Sequence, residues 1–391
     1  MDVAELRALL SPEGLRLLDE VGPFERTDDV VATVARLRAA GHPPERVAAV
    51  LSQAKLRARA LRKFGPFAAR MLFTEAGLEQ ATRLRVASMH AGRVASAGLT
   101  TIADLGCGIG GDAMAFAGLG LRVLAVEGDE ATAAIAAYNL APFPGARVEH
   151  ADLADVDLED IDAVWLDPAR RAGSRRFSEP SDWSPSLDDA LALAADRPAG
   201  VKLAPALDRA LIPPTAEAQW ISVDRELVEV VLWSGALARE GVRRAALVLG
   251  DEGANELTAT QEAEDAPPGP LSGWLYEPDP AVIRAHLIGD LARALGGRML
   301  DRTIAWITAD QPVDTAFAQR FRVVAQLPFD TRWLGRELRA RGIGTLEIKK
   351  RGVDVDPARF RQRLALRGDG SATLVLTRMG ARRVALLAER A

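Results

Sequence analysis

Residues 104–112 read Asp104-Leu105-Gly106-Cys107-Gly108-Ile109-Gly110-Gly111-Asp112. Glycines at this density let a backbone turn sharply and approach a ligand where a Cβ would collide. An apolar strand, Thr101-Ile102-Ala103, runs into the loop, and a helix of small residues, Ala113-Met114-Ala115-Phe116-Ala117, leaves it. The next apolar strand, Val123–Val126, ends in Glu127, an acid placed to accept hydrogen bonds from a ribose. Together these residues mark a nucleoside-cofactor site.

The charges of the loop narrow the cofactor. Gly106, Gly108 and Gly111 satisfy the G-x-G-x-x-G spacing of a dinucleotide fold, which is a weak signal alone. Asp104, two residues before the first glycine, suits a cationic amino acid moiety and would repel a pyrophosphate. Asp112 adds a second acid at the helix start, where a phosphate needs bare N–H groups. S-adenosylmethionine carries an ammonium and a sulfonium and no phosphate, and it fits this pattern. A dehydrogenase-type Rossmann domain is the alternative that the glycines and Glu127 leave open.

Four segments in order resemble the class I S-adenosylmethionine-dependent methyltransferases. Asp104–Gly111 resembles their motif I, and Val126-Glu127-Gly128-Asp129 their motif II. His150-Ala151-Asp152 resembles the position whose carboxylate accepts from the adenine amino group. Val164-Trp165-Leu166-Asp167-Pro168 resembles motif IV. The resemblance implies cofactor contacts at Asp104, Gly106, Gly108, Gly110, Asp112, Glu127, Gly128 and Asp152. It also implies them at Gln80 and Thr82, on a segment that folds over the methionine end in the family. For Asp152 and for the 79–82 segment, an ordinary surface role is the open alternative.

Relatives that methylate exocyclic amines read Asp/Asn-Pro-Pro-Tyr/Trp at motif IV. The acid and a proline carbonyl accept from the amino group there, and the aromatic stacks on the base. Here the motif is Asp167-Pro168-Ala169-Arg170. Asp167 and the Pro168 carbonyl keep the acceptor role, while the second proline and the aromatic are missing. Trp183, Phe177 or Trp233 are candidates for a stacking face, against a plain core role for each. Arg170 and Arg171 open a basic run with Arg175 and Arg176 that suits a phosphate contact or a base stack. A solvated surface is the equal alternative.

These residues need a scaffold that gathers strand ends. Short apolar strands near 101–105, 121–126, 146–149, 162–166 and 198–203 alternate with helical segments, the pattern of a parallel sheet covered on both faces. Strands near 218–223, 227–233 and 242–249 follow without intervening helices, as at the sheet edge of the methyltransferases. Residues 1–97 read as helices, with long patterns over Val47–Phe64 and Leu78–Ala97. Residues 253–272 are acidic, then Pro-rich, and read as a linker.

A C-terminal α+β region, 273–391, opens with a helix from Tyr276-Glu277-Pro278-Asp279-Pro280 to about Leu295. It continues as strand 321–327, helix 331–341, strand 343–349, helix 357–364 and strands 372–377 and 382–388. The expected fold is therefore α/β: a Rossmann-like methyltransferase core over 98–252 between a helical domain and a small α+β module. The whole chain resembles bacterial methyltransferases with a THUMP-like, ferredoxin-like C-terminal domain. The resemblance rests on Phe73-Thr74, Leu78–Thr82, Asp167–Arg171, Tyr276-Glu277-Pro278 and Lys349–Val353. The core is also similar to the trimethylguanosine synthase branch of RNA methyltransferases.

Composition sets the partners. The chain has 391 residues, a net charge of −5 and one cysteine, so no intrachain disulfide forms. Cys107 reads as a small residue in a crowded turn. The four histidines are scattered, so no metal site is expected. No signal peptide or membrane-length apolar run is present, so a cytoplasmic protein is expected. Residues 319–383 hold 16 Lys and Arg against 6 Asp and Glu. Residues 46–74 hold basic residues and no acid, with Arg59, Arg62 and Lys63 at helical spacing. Basic flanks around a cofactor core suit RNA held by its phosphates, with methylation of a nucleobase nitrogen in rRNA or tRNA. An arginine-rich compositional bias, a small-molecule methyltransferase and a cofactor-binding protein without catalysis are the alternatives.

Overall fold

The computed structural model describes residues 3–23, 27–168, 171–172, 175–176, 183, 185–251, 253–260 and 266–391. Two compact units divide the chain: 1–203 with 232–238, and 204–231 with 239–391.

The first unit begins with helices α1 (Val3–Leu9), α2 (Pro12–Val21), α3 (Thr27–Ala39), α4 (Pro44–Phe64), α5 (Glu75–Gln80) and α6 (Leu84–Ser96). Ser11 caps α2 and Thr74 caps α5, each accepting from the N–H three residues on. The single helix expected over 78–97 is two, because Ala81 at the end of α5 and Arg83 before α6 are extended. Lys63 Nζ donates to the carbonyls of Leu78, Glu79 and Ala81, satisfying groups that a continuous helix would have paired.

The parallel core follows as β1 (Thr101–Leu105), α7 (Gly111–Gly118), β2 (Arg122–Glu127), α8 (Glu130–Leu140), β3 (Ala146–His150) and β4 (Ala163–Leu166). A two-residue pair, β5 (Arg171–Ala172) and β6 (Arg175–Arg176), precedes α9 (Leu187–Asp196) and β7 (Ala199–Leu203). Hydrogen bonding orders these strands β7-β4-β1-β2-β3, all parallel. Every residue of β1, β4 and β7 is buried, as expected of strands covered on both faces. The chain turns one way from β1 to β2 and the other way to β4. Ligands bind at such a switch point, beyond the carboxyl ends of the strands.

One face of this sheet is aromatic. Trp165 on β4 stacks on His90 of α6 at 4.4 Å and lies 5.7 Å from both Phe116 and Trp233. Gly200 on β7 leaves room for them: a Cβ there would lie 2.6 Å from Trp165 and 2.8 Å from Trp233. Gly200→Ala is expected to destabilise the protein by about 3 kcal/mol through overpacking, read from the midpoint of urea denaturation.

The second unit contains β8 (Glu217–Val223), the first part of β9 (Glu226–Ser234), β10 (Arg244–Gly250) and β11 (Gly253–Ala259). β10 pairs parallel with β8 and antiparallel with β11. The expected linker thus begins as an edge strand, hidden in the sequence because β11 has no buried residue and reads as polar.

The chain continues as β12 (Trp274–Pro278), α10 (Pro280–Arg284), α11 (Ile288–Ala294), β13 (Arg298–Asp301), β14 (Ile304–Ala309) and β15 (Ala318–Leu327). It ends with α12 (Thr331–Ala340), β16 (Ile343–Lys350), α13 (Pro357–Leu364), β17 (Gly370–Met379) and β18 (Arg382–Arg390). Their seven strands run β13-β14-β12-β15-β18-β17-β16. The helix expected from Tyr276 is instead a strand and two short helices. Tyr276 and Pro278 pair with β15, and the helical path breaks at His286, whose φ is +55°. Leu334 and Leu338 of α12 and Phe360 and Leu364 of α13 pack with Leu346, Leu374 and Leu387 in one core.

Candidate active site

Asp104, the glycine loop, Glu127, Gly128, Asp167 and Pro168 lie at the carboxyl ends of β1, β2 and β4. The glycine loop is pinned to the end of β2. The N–H groups of Gly106 and Cys107 both donate to the Val126 carbonyl, at 3.0 and 2.9 Å. Glu127 Oε2 accepts from Gly108 N–H at 3.0 Å, and its Oε1 accepts from Asp129 N–H at 2.9 Å. Gly106, Gly108 and Gly110 have φ of +83°, +56° and +83°, a conformation that strains any other residue. Glu127 thus braces the loop through both carboxyl oxygens as well as standing at its rim.

Asp104 lies under the loop, 1% exposed. Its Oδ2 has no hydrogen-bond partner among the described residues. Burial raises its pKa well above the ordinary carboxylate value, and the charges of Asp112 and Asp167 add to this against Lys202. An orphaned, buried carboxyl oxygen at this depth fits a ligand that brings a cation and an N–H donor. Cys107 is buried in the turn, and burial pushes its thiol well up, as suits a packing residue.

Asp112 is committed differently from the expected cofactor contact. Its Oδ2 accepts from Thr82 Oγ1 at 2.6 Å, and its Oδ1 from His90 Nδ1 at 3.1 Å. Lys202 Nζ lies 3.7 Å from Oδ2. Burial alone would raise its pKa, but the Lys202 charge, the His90 contact and the Thr82 hydroxyl prevail and bring it to about 2. Thr82 is likewise buried and turned inward, accepting from Lys202 Nζ at 2.8 Å. Both residues therefore build the wall of the site.

At the mouth, Asp167 Oδ2 pairs with Lys202 Nζ at 2.5 Å, with about a third (36%) of the Asp167 side chain exposed. A Cβ on Gly106 would lie 3.7 Å from the Asp167 carbonyl oxygen, so motif IV abuts the glycine loop. Pro168 is buried. Gly128 closes β2, and its carbonyl accepts from His150 Nε2 at 3.1 Å. Asp152 is exposed and caps a short turn through Ala154 N–H, so one oxygen is engaged in a local cap. Gln80 is exposed at the end of α5. Ala169, Arg170 and Phe177 lie outside the described residues, and Arg171 is described only as backbone in β5. Trp233 is fully buried in the aromatic layer and Trp183 is buried, so neither is an exposed stacking face.

Sequence reasoning missed Lys202, His90 and Asn139. Lys202 sits mid-strand in Ala199–Leu203, and a charge inside an apolar run was the available signal. His90 falls in the buried stripe of α6 with Val86, Ala87, Ala91 and Val94, and reads there as core. Asn139 on α8 binds the Leu72 backbone through both its N–H and carbonyl, and donates to the Ile109 carbonyl in the glycine loop. The basic face expected on α4 is narrower than the charge count implied. Arg57 is buried on the Met71 carbonyl, Arg59 pairs with Glu75, and Lys63 binds the three carbonyls named above.

The sequence that builds this loop and its surroundings has relatives among known proteins. An uncharacterized S-adenosylmethionine-dependent methyltransferase of Mycobacterium tuberculosis (strain ATCC 25618 / H37Rv) is 35% identical over 335 residues, 83% of this chain and 91% of the relative. Its counterpart in strain CDC 1551 / Oshkosh matches to the same extent. The chain belongs to the S-adenosylmethionine-dependent methyltransferases, and its cofactor is S-adenosylmethionine. Residues 318–390 match a family described as THUMP domain-like, and residues 2–60 a domain of unknown function. In fold the chain is similar to a crystal structure of a candidate methyltransferase from Porphyromonas gingivalis W83. The TM-score is 0.71 at 22% identity, covering 90% of this chain and 92% of that one.

Proposed function

We propose that the protein methylates a nucleobase nitrogen in RNA, either rRNA or tRNA. The observation that carries the nitrogen reading is Asp167: a carboxylate about a third exposed at the end of β4, beside the glycine loop and held by a buried lysine. S-adenosylmethionine, when bound, supplies an electrophilic methyl group and keeps the C–S electron pair on sulfur. Asp104 would take its ammonium, Glu127 the ribose hydroxyls and Asp152 the adenine amino group. Asp167 and the Pro168 carbonyl accept hydrogen bonds from the acceptor amine and turn its lone pair toward the methyl. Orientation and exclusion of water supply most of the rate for an already activated donor. The partly exposed Asp167 leaves the released proton a route to solvent.

The RNA reading is supported in the C-terminal region. The THUMP domain-like match spans the stretch where 16 Lys and Arg face 6 acids. Arg332 and Arg336 are exposed one turn apart on α12, as are Arg359 and Arg363 on α13. Such faces grip phosphates without reading sequence. The test is nucleoside mass spectrometry of total RNA from a deletion strain and its parent. One methylated nucleoside is expected to be missing, restored by the parent gene and not by Asp167→Ala. Restoration by Asp167→Ala would refute the role of motif IV. Full activity after removal of residues 271–391 would favour a small-molecule acceptor.

A further inference from the structure

We propose that Lys202 is a positioning residue for methyl transfer, fixing Asp167 as an ionised, oriented acceptor; the proposal rests on the reading of Asp167 given above. Lys202 lies on a strand whose five residues are all buried, where an unpaired ammonium is not tolerated. Its charge already has a buried partner in Asp112, and its Nζ donates to Thr82 Oγ1 at 2.8 Å. A purely structural lysine is satisfied by that pair. The shortest contact of Nζ, 2.5 Å, instead goes outward to Asp167, whose carboxylate has access to water of its own.

The inner contacts make the ammonium a fixed point. Asp112 is held from the other side by His90 Nδ1 at 3.1 Å and by Thr82 Oγ1 at 2.6 Å. His90 is itself clamped between Asp112 and the Trp165 ring. Among the described residues, the charged and titratable groups around Lys202 include Asp112 from α7 with His90 of α6 behind it, Asp104 from β1 and Asp167 after β4. The frame is rigid on three sides, and Asp167 is the one member at the mouth. A neighbouring ammonium favours the ionised carboxylate, so Asp167 accepts hydrogen bonds and does not donate them. An acceptor nitrogen that carries a hydrogen is matched to this arrangement.

The test uses the full-length protein, total RNA from the deletion strain as methyl acceptor, and labelled S-adenosylmethionine. Lys202→Met is expected to lower turnover about 100-fold, the scale of a misplaced catalytic group. The acid limb of its pH–rate profile is expected to move to higher pH, because Asp167 loses the charge that favours its ionised form. Calorimetric affinity for S-adenosylmethionine is expected to change less than about threefold, a scale well under the tenfold of 1.4 kcal/mol. Lys202→Arg keeps the charge but not the point geometry, so turnover falls about tenfold with the acid limb in place.

Parent-like turnover, or an unmoved acid limb, in folded Lys202→Met overturns the proposal. If Lys202→Met shows no cooperative melt, Lys202→Arg decides: turnover within twofold of the parent overturns it, and the tenfold loss supports it. Asp167→Ala runs in parallel. Its retention of activity sinks the reading of motif IV, whereas an inactive Asp167→Ala beside a fully active Lys202→Met sinks only the role of Lys202.

Discussion

Asp104→Asn is expected to stabilise the ligand-free protein while weakening its hold on S-adenosylmethionine by about two orders of magnitude, roughly 3 kcal/mol. The two effects share one cause. Asp104 is buried with an unpartnered Oδ2, and burial with two neighbouring carboxylates raises its pKa well above 3.8. Between the unfolded and folded pKa values the native state binds more protons than the unfolded chain. Stability therefore falls as pH rises through that window. Asparagine does not titrate, so its advantage is absent below about pH 4 and grows toward neutrality.

The bound ammonium reverses the balance, because it favours the ionised carboxylate and gives Oδ2 a donor. Binding of S-adenosylmethionine is then expected to release a proton and to tighten with pH through the same window. Calorimetry in buffers of different ionisation enthalpy measures this directly. Methylthioadenosine lacks the amino acid moiety, and its affinity should be nearly the same for parent and variant. An equal loss for both ligands would show that the substitution distorted the loop.

Asp112→Ala is expected to cost about 3–5 kcal/mol, the loss seen when one partner of a buried ion pair is removed. Lys202 and His90 would both face a cavity where the anion stood. The parent should show the acid signature of the same residue. Its folded pKa of about 2 lies below the ordinary 3.8, so its contribution is present above pH 4 and is lost as pH falls toward 2. That contribution is about 2–3 kcal/mol. Asp112→Asn keeps the shape and lacks the titration, so its stability deficit should shrink over this interval. Urea denaturation at pH 7, 4 and 2.5 would measure it, and a constant deficit would contradict the assignment.

The glycine loop was legible because its signals are local. Three alternate glycines, an apolar strand before them and an acid at the next strand end all fall within 27 residues, 101–127. The network behind the loop was not legible, because its members converge only through the fold. Thr82 and Lys202 are 120 positions apart, and His90 and Asp112 are 22 apart. Motif matching pointed to Asp112 and Thr82 but carried no sign that their side chains hydrogen-bond each other in a buried network. Helical periodicity failed where the backbone turns without glycine or proline, at Ala81–Arg83 and at His286. β13 left little trace because it is only four residues long and has charged ends, Arg298 and Asp301.

The clasp made by Asn139 bears on how much chain a working catalytic fragment needs. One amide side chain on α8 holds the Leu72 backbone with one hand and the glycine loop with the other. Cutting the chain just ahead of β1 would strip Asn139 of two of its three bonds and remove Met71, Leu72 and Phe73, buried residues that are at most 2% exposed. The leading helices are thus a buttress for the cofactor loop. The shortest self-sufficient methyltransferase segment must start upstream of Leu72.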